Sequence, residues 1–116
     1  MKRFEKFVSI HPYFKIHPGQ EPAFRALLPT FYRQTAGEDK ALFYEFTING
    51  DEAFCREGYV DADAALAHVV NVKGVLAEAA KISDIARFEI HGPAAELDKL
   101  RGSLGGIKAT WFVLDA

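Results

Sequence analysis

Residues 41–70, ALFYEFTINGDEAFCREGYVDADAALAHVV, read as strand, turn, strand and helix in immediate succession. ALFYEFTI (41–48) and AFCREGYV (53–60) are two apolar-rich runs joined by NGDE (49–52). Asn49-Gly50 is a strong hairpin signal because both residues tolerate positive φ, so the two runs are expected to pair antiparallel. In the second run Ala53, Cys55, Glu57 and Tyr59 share one face, and Phe54, Arg56, Gly58 and Val60 the other. Asp61 or Asp63 can cap the helix that follows. Ala62, Ala65, Leu66 and Val69 form its apolar stripe, and Val72, Leu76, Ala79 and Ala80 extend it. Lys73 and Gly74 interrupt the stripe, which predicts a bend near residues 71–74.

Upstream, KFVSIHPYFKI (6–16) alternates with period two. Val8, Ile10, Phe14 and Ile16 fall on one face; Phe7, Ser9, His11 and Tyr13 fall on the other. Pro12 cannot donate to a ladder, so an edge position or an irregularity is expected there. A turn at HPG (17–19) leads into a helix from Gln20, with Phe24, Leu27, Leu28 and Phe31 as its buried stripe. Pro29 within the stripe should kink or split that helix, and Gly37 in TAGEDK (35–40) should stop it. Downstream come a strand over IARFEIHG (85–92), a short helix over PAAELDKLR (93–101), a GSLGG loop (102–106) and a last strand over IKATWFVL (107–114). The order is β-α-β-β-α-β with a helix and a fifth strand appended. It predicts an α+β, ferredoxin-like fold with helices on one face of an antiparallel sheet. The other face carries several aromatics and is expected to be covered by another subunit.

Composition narrows the function classes. The 116 residues suit one domain, residues 1–116, and 49% apolar content with 13% aromatics supports a packed core. The ten phenylalanines suit a core, an aromatic pocket or an interface. A formal net charge of -2 gives no footprint for nucleic acid, and MKRFEK (1–6) is too short and mixed to act as a basic arm. No apolar run approaches a membrane span or a signal-peptide core, so no membrane partner is expected and a cytoplasmic location is the default. Cys55, the single cysteine, excludes an internal disulfide and a cysteine metal cluster. The histidines are His11, His17, His68 and His91, and no two have the i, i+4 spacing of a zinc helix, so no metal is expected. Serine lacks a Gly-x-Ser-x-Gly elbow, and GSLGG lacks the lysine of a phosphate cradle.

His68 stands out among these. Taking about 100° per residue with Ala65 at 0°, the stripe centres near 50° and His68 falls near 300°, on its shoulder. From there a side chain can reach the seam between helix and sheet, where an imidazole can take a proton. A half-exposed histidine without a role has the same spacing. Glu57 is either a second polar group in that seam or an exposed carboxylate paired with a cation.

The stretch EGYVDADAALAH (57–68) resembles the signature of the antibiotic biosynthesis monooxygenase family. The shared features are a strand-borne glutamate (Glu57), an aromatic two residues on (Tyr59), an acidic cap (Asp61, Asp63), and a helix bearing Ala65, Leu66 and His68. GEDKALFYEF (37–46) resembles the family's entry into its second strand. The resemblance implies a homodimer whose sheets meet as an α+β barrel, with a flat aromatic substrate held between sheet and helices. It also implies oxygenation of a small quinol- or anthrone-type molecule by O2 with no metal, flavin or haem. His68 then matches the proton acceptor or orienting group. Tyr13, His11, Glu57 and Tyr59 are candidate substrate contacts, and Phe24, Phe31 and Trp111 are pocket or core aromatics, core being favoured. Relatives with a second histidine carry it where this chain has VVNVKGV (69–75). Haem-degrading relatives place a tryptophan near Gly58 and an asparagine on the first strand, and this chain has neither. Two alternatives use the same scaffold: a non-catalytic barrel that binds a small ligand, and a proton-transfer isomerase that needs the base but not O2.

Overall fold

The computed structural model describes residues 1–115. Its elements are β1 (Val8–Ile16), α1 (Glu21–Thr35), β2 (Ala41–Asn49), β3 (Glu52–Tyr59), α2 (Ala62–Asn71), α3 (Lys73–Ala80), β4 (Ser83–Gly92), α4 (Ala94–Leu104) and β5 (Thr110–Val113). The expected bend is a break at Val72, which closes α2 and opens α3. One five-stranded sheet has the order β2-β3-β1-β4-β5. Its first four strands pair antiparallel in the split βαβ order, and β5 adds a parallel edge to β4, so the sheet is mixed.

Three local expectations are refined. The hairpin turns on Gly50-Asp51, with Asn49 paired to Glu52; only Gly50 takes a left-handed φ, of 62°. Glycine first in a two-residue loop suits a type II′ turn, one position later than Asn49-Gly50 suggests. Pro29 does not split α1, although Arg25 loses its intrahelical donor there. Gly37 does not stop α1 by a left-handed cap; the helix closes on Ala36, whose N–H donates to the Tyr32 carbonyl.

Pro12 lies in the central strand, where the β1–β3 ladder skips residues 11 and 12, and a separate irregularity falls just beyond it in the β1–β4 ladder. Tyr13 pairs Arg87 but Phe14 pairs Ile85, so Ala86 is an extra residue. That bulge keeps Ile85 on the same side as Ile90 and Phe88, facing the helices.

Two apolar clusters form under the helices. Val8, Ile10, Tyr59, Ala65, Ile90, Leu97 and Leu100 make one, with Trp111 packed against it. Phe14, Ile16, Phe24, Phe31, Val72 and Val75 make the other. Each large side chain fully buried there contributes about 1.5–3 kcal/mol of transfer free energy. The opposite face of the sheet is aromatic and open. Phe7 and Phe43 lie with centroids 6.0 Å apart, over Gly58, where an added Cβ would sit 2.5 Å from the Phe43 ring. Tyr13 packs at a tilt on Phe54, and His91 stacks on Phe112.

Candidate active site

Strand alternation in β3 sends Ala53, Cys55, Glu57 and Tyr59 under the helices, where all four are buried. Two carboxylates then fix where α2 begins. Asp61 Oδ1 accepts the Ala64 N–H at 2.9 Å, and Glu96 Oε1, from α4, accepts the Ala62 N–H at 3.0 Å. Anions at a helix N-terminus also suit the helix dipole. Two turns on, α2 delivers His68 into the seam with only 3% of it exposed. Its ring lies between Tyr44 and Tyr59, at centroid distances of 4.9 and 5.1 Å.

The polar groups form a chain through the interior. Tyr59 Oη donates to Glu57 Oε1 at 2.5 Å. His68 Nε2 stands 3.5 Å from the same oxygen. His68 Nδ1 is 2.9 Å from Glu38 Oε2, which also accepts from Asn71 Nδ2 at 2.8 Å. Asn71 Nδ2 reaches the Gln34 carbonyl at 2.8 Å as well, tying α2 to the end of α1.

Burial sets the protonation of this chain. Loss of solvation pushes the Glu57 carboxyl up to about 7, the nearby Glu38 charge adds to the rise, and the Tyr59 and Cys55 side chains pull against it. Burial lowers the His68 pKa, with Glu38 opposing. The Cys55 thiol and the Tyr59 phenol are both pushed up, first by burial and then by the Glu57 charge. Near neutrality the seam holds a carboxyl group close to its titration point beside an imidazole that burial biases toward its neutral form.

Glu57 and His68 open onto an apolar cavity of about 100 Å³. Ile10, Pro12 and Phe14 of β1 line it with Phe31, Tyr44, Phe46, Val72 and Phe88. Ile85 and Ile107, both well exposed, mark where it nears the surface. Among the described residues, no three His, Cys, Asp or Glu side chains are grouped so as to hold a metal ion. No helix among them is long and apolar enough to cross a membrane.

The structure brings three of the five expected site residues together: Glu57, Tyr59 and His68. It places His11 and Tyr13 on the opposite face of the sheet, because odd-numbered residues of β1 point away from the helices. There His11 Nε2 meets Ser9 Oγ at 2.8 Å, and Tyr13 packs on Phe54 at 4.6 Å. Phe24 is core, Phe31 is both core and cavity wall, and Trp111 packs on the first cluster under the Arg101 guanidinium. Sequence reading missed Glu38, Asn71 and Tyr44. Tyr44 was within reach, since Tyr44, Phe46 and Ile48 alternate toward the interior. Glu38 was not, because nothing in GEDK separates it from Asp39.

No family model matches the chain, and no curated protein matches it. Solved structures do. MupZ from Pseudomonas fluorescens is 40% identical, with 96% of this chain and 92% of MupZ covered and a TM-score of 0.91. The chain belongs to the family of MupZ. It shares its fold with the antibiotic biosynthesis monooxygenases, as the resemblance in residues 57–68 implied. A protein from Caulobacter crescentus CB15, provisionally named as one, is 19% identical, with 75% of this chain and 89% of that chain covered and a TM-score of 0.67. Rv0793 from Mycobacterium tuberculosis is 22% identical over 76% of this chain and 95% of its own, also with a TM-score of 0.67. The match to MupZ spans nearly the whole chain, so the appended α4 and β5 belong to the shared architecture.

Proposed function

We propose that the chain is a cofactor-independent monooxygenase in which His68 takes the proton of a small phenolic substrate held in the cavity. The observation that supports this is a buried imidazole beside a carboxyl group raised to about 7, both at the wall of an otherwise apolar space. A phenol there meets His68 and Glu57 in an otherwise dry surround, so ionisation at His68 Nε2 raises its electron density where O2 can accept an electron. Overall, a hydroquinone and one molecule of O2 give a hydroxyquinone and one molecule of water. One oxygen atom joins a ring carbon, the other leaves as water, and the substrate supplies all four electrons. The departing hydroxyl needs a proton, which protonated His68 or the Glu57 carboxyl can return.

The cavity also speaks to size. About 100 Å³ is of the order of an engineered cavity of roughly 150 Å³ that takes up benzene. One ring fits this scale better than the three fused rings of an anthrone, so the reading favours a quinol. The second copy expected from the resemblance would cover the open aromatic face, leaving this cavity within each subunit.

Oxygen uptake tests the reading. Purified protein, freed of metal and flavin, is offered one-ring hydroquinones, naphthoquinols and anthrones beside His68→Ala. Uptake above autoxidation, lost in the variant and strongest with one ring, is expected. Substrate turnover that persists without O2 would replace the oxygenase with a proton-transfer isomerase. Tight binding without turnover would leave a ligand-binding barrel.

A further inference from the structure

We propose that Glu38, braced by Asn71, is a positioning residue that keeps the His68 proton on Nδ1 and leaves Nε2 bare toward the cavity. A carboxylate only accepts hydrogen bonds, so the 2.9 Å contact requires Nδ1 to carry the proton. In a neutral ring Nε2 is then the lone-pair nitrogen. It stands 3.5 Å from Glu57 Oε1, too long for a firm bond and open to replacement by a substrate hydroxyl.

Glu38 is itself held. Its Oε2 accepts a second hydrogen bond from Asn71, one turn beyond His68 on the same helix, and only 15% of its side chain is exposed. The His68–Glu38–Asn71 contacts therefore fix the ring from the side away from the cavity, while Glu57 faces it from the cavity side. The groups around the imidazole are Glu38 from the loop before β2, Tyr44 from β2, and Glu57 and Tyr59 from β3. Only Glu38 bonds Nδ1. Its charge also works against the burial that lowers the His68 pKa, so it keeps the imidazole a stronger base than its surroundings alone would. A purely structural role is separable, because the Asn71 bond to the Gln34 carbonyl joins α2 to α1 without Glu38.

The catalytic consequence rests on His68 being the base of the proposed oxygenation; the tautomer does not. Long-range 1H–15N spectra of histidine-labelled protein read it directly, with no substrate and no O2. In the wild type at pH 7.5, His68 is expected to show a protonated Nδ1 and a bare Nε2. Glu38→Ala should move that ring toward the Nε2–H form. Glu38→Gln, which keeps the packing and serves if the alanine variant does not fold, should lower its titration midpoint. Where a turned-over substrate is known, Glu38→Ala should lower kcat roughly 100-fold with KM within about threefold, as expected for an imidazole released from its working tautomer. An Nε2–H wild type, or a His68 signal and titration unmoved in Glu38→Gln, would overturn the assignment. A correct tautomer with no oxygenation of any quinol would instead overturn the oxygenase reading and leave Glu38 in its role.

Discussion

The two faces of the one sheet carry histidines of opposite character. On the helix side His68 is buried, bonded to a carboxylate through one nitrogen and facing a carboxyl group with the other. On the open side His11 and His91 lie edge to face at 4.7 Å, among Phe54 and Phe112, with Glu89, paired to Arg87, 3.5 Å from His91. Burial lowers the His11 pKa too, followed by the charge of His91, with Glu89 opposing. A pKa lowered by burial, then, does not distinguish the faces. What distinguishes them is enclosure: His68 borders a cavity between two apolar clusters, whereas His11 borders an open aromatic surface of the kind a second subunit covers.

Substituting one histidine at a time probes that contrast most strongly. His68→Ala should lower oxygenation of a turned-over quinol by roughly 10²–10⁴-fold, the range for loss of a general base. His11→Ala and Tyr13→Phe should stay within about twofold if their face serves assembly alone. Equal losses from both faces would dissolve the contrast.

Next in size is the pH dependence of stability that Glu57 imposes. Its pKa is raised in the folded chain, so its neutral form is the one the fold accommodates; the associated stability is full below about pH 4.5 and is lost as pH rises through about 7. The rise corresponds to something on the order of 3 kcal/mol. Urea unfolding between pH 5 and 8 should show the wild type weakening relative to Glu57→Gln. His68, with its lowered pKa, removes stability in the opposite direction, as pH falls, and is common to both proteins. Parallel curves would mean that Glu57 is solvated or permanently paired.

A smaller effect is expected on the open face. Phe54→Lys places a charge among Tyr13 and His11, and should shift the proposed homodimer toward monomer by about tenfold or more in Kd while the circular dichroism stays unchanged. Sedimentation reads it. An unaltered dimer would move the subunit contact elsewhere.

Much of the helix-side face was legible because period two and period 3.6 do the sorting. Residues 53–60 alternate cleanly, Asp61 caps where a cap was needed, and the wheel put His68 on the shoulder from which it enters the seam. The details that escaped depend on distant chain segments. Pro12 sits in the central strand, its missing donor falling where the pairing with β3 skips residues 11 and 12. Glu38 reaches His68 across 30 residues from a loop with no periodicity, and Glu96 caps α2 from α4. The edge strand β5 could be placed as a strand, but its parallel pairing with β4 follows from the length and path of α4. His11 and Tyr13 drew attention as polar aromatics; alternation already placed them on the face opposite the core residues of β1.

The most direct measurement is the anaerobic absorption spectrum of a one-ring hydroquinone bound to the protein near pH 7, with His68→Ala alongside. Proton transfer to His68 predicts a phenolate band in the wild type that the variant lacks. A bound hydroquinone that keeps its neutral spectrum in both proteins would contradict His68 as the base.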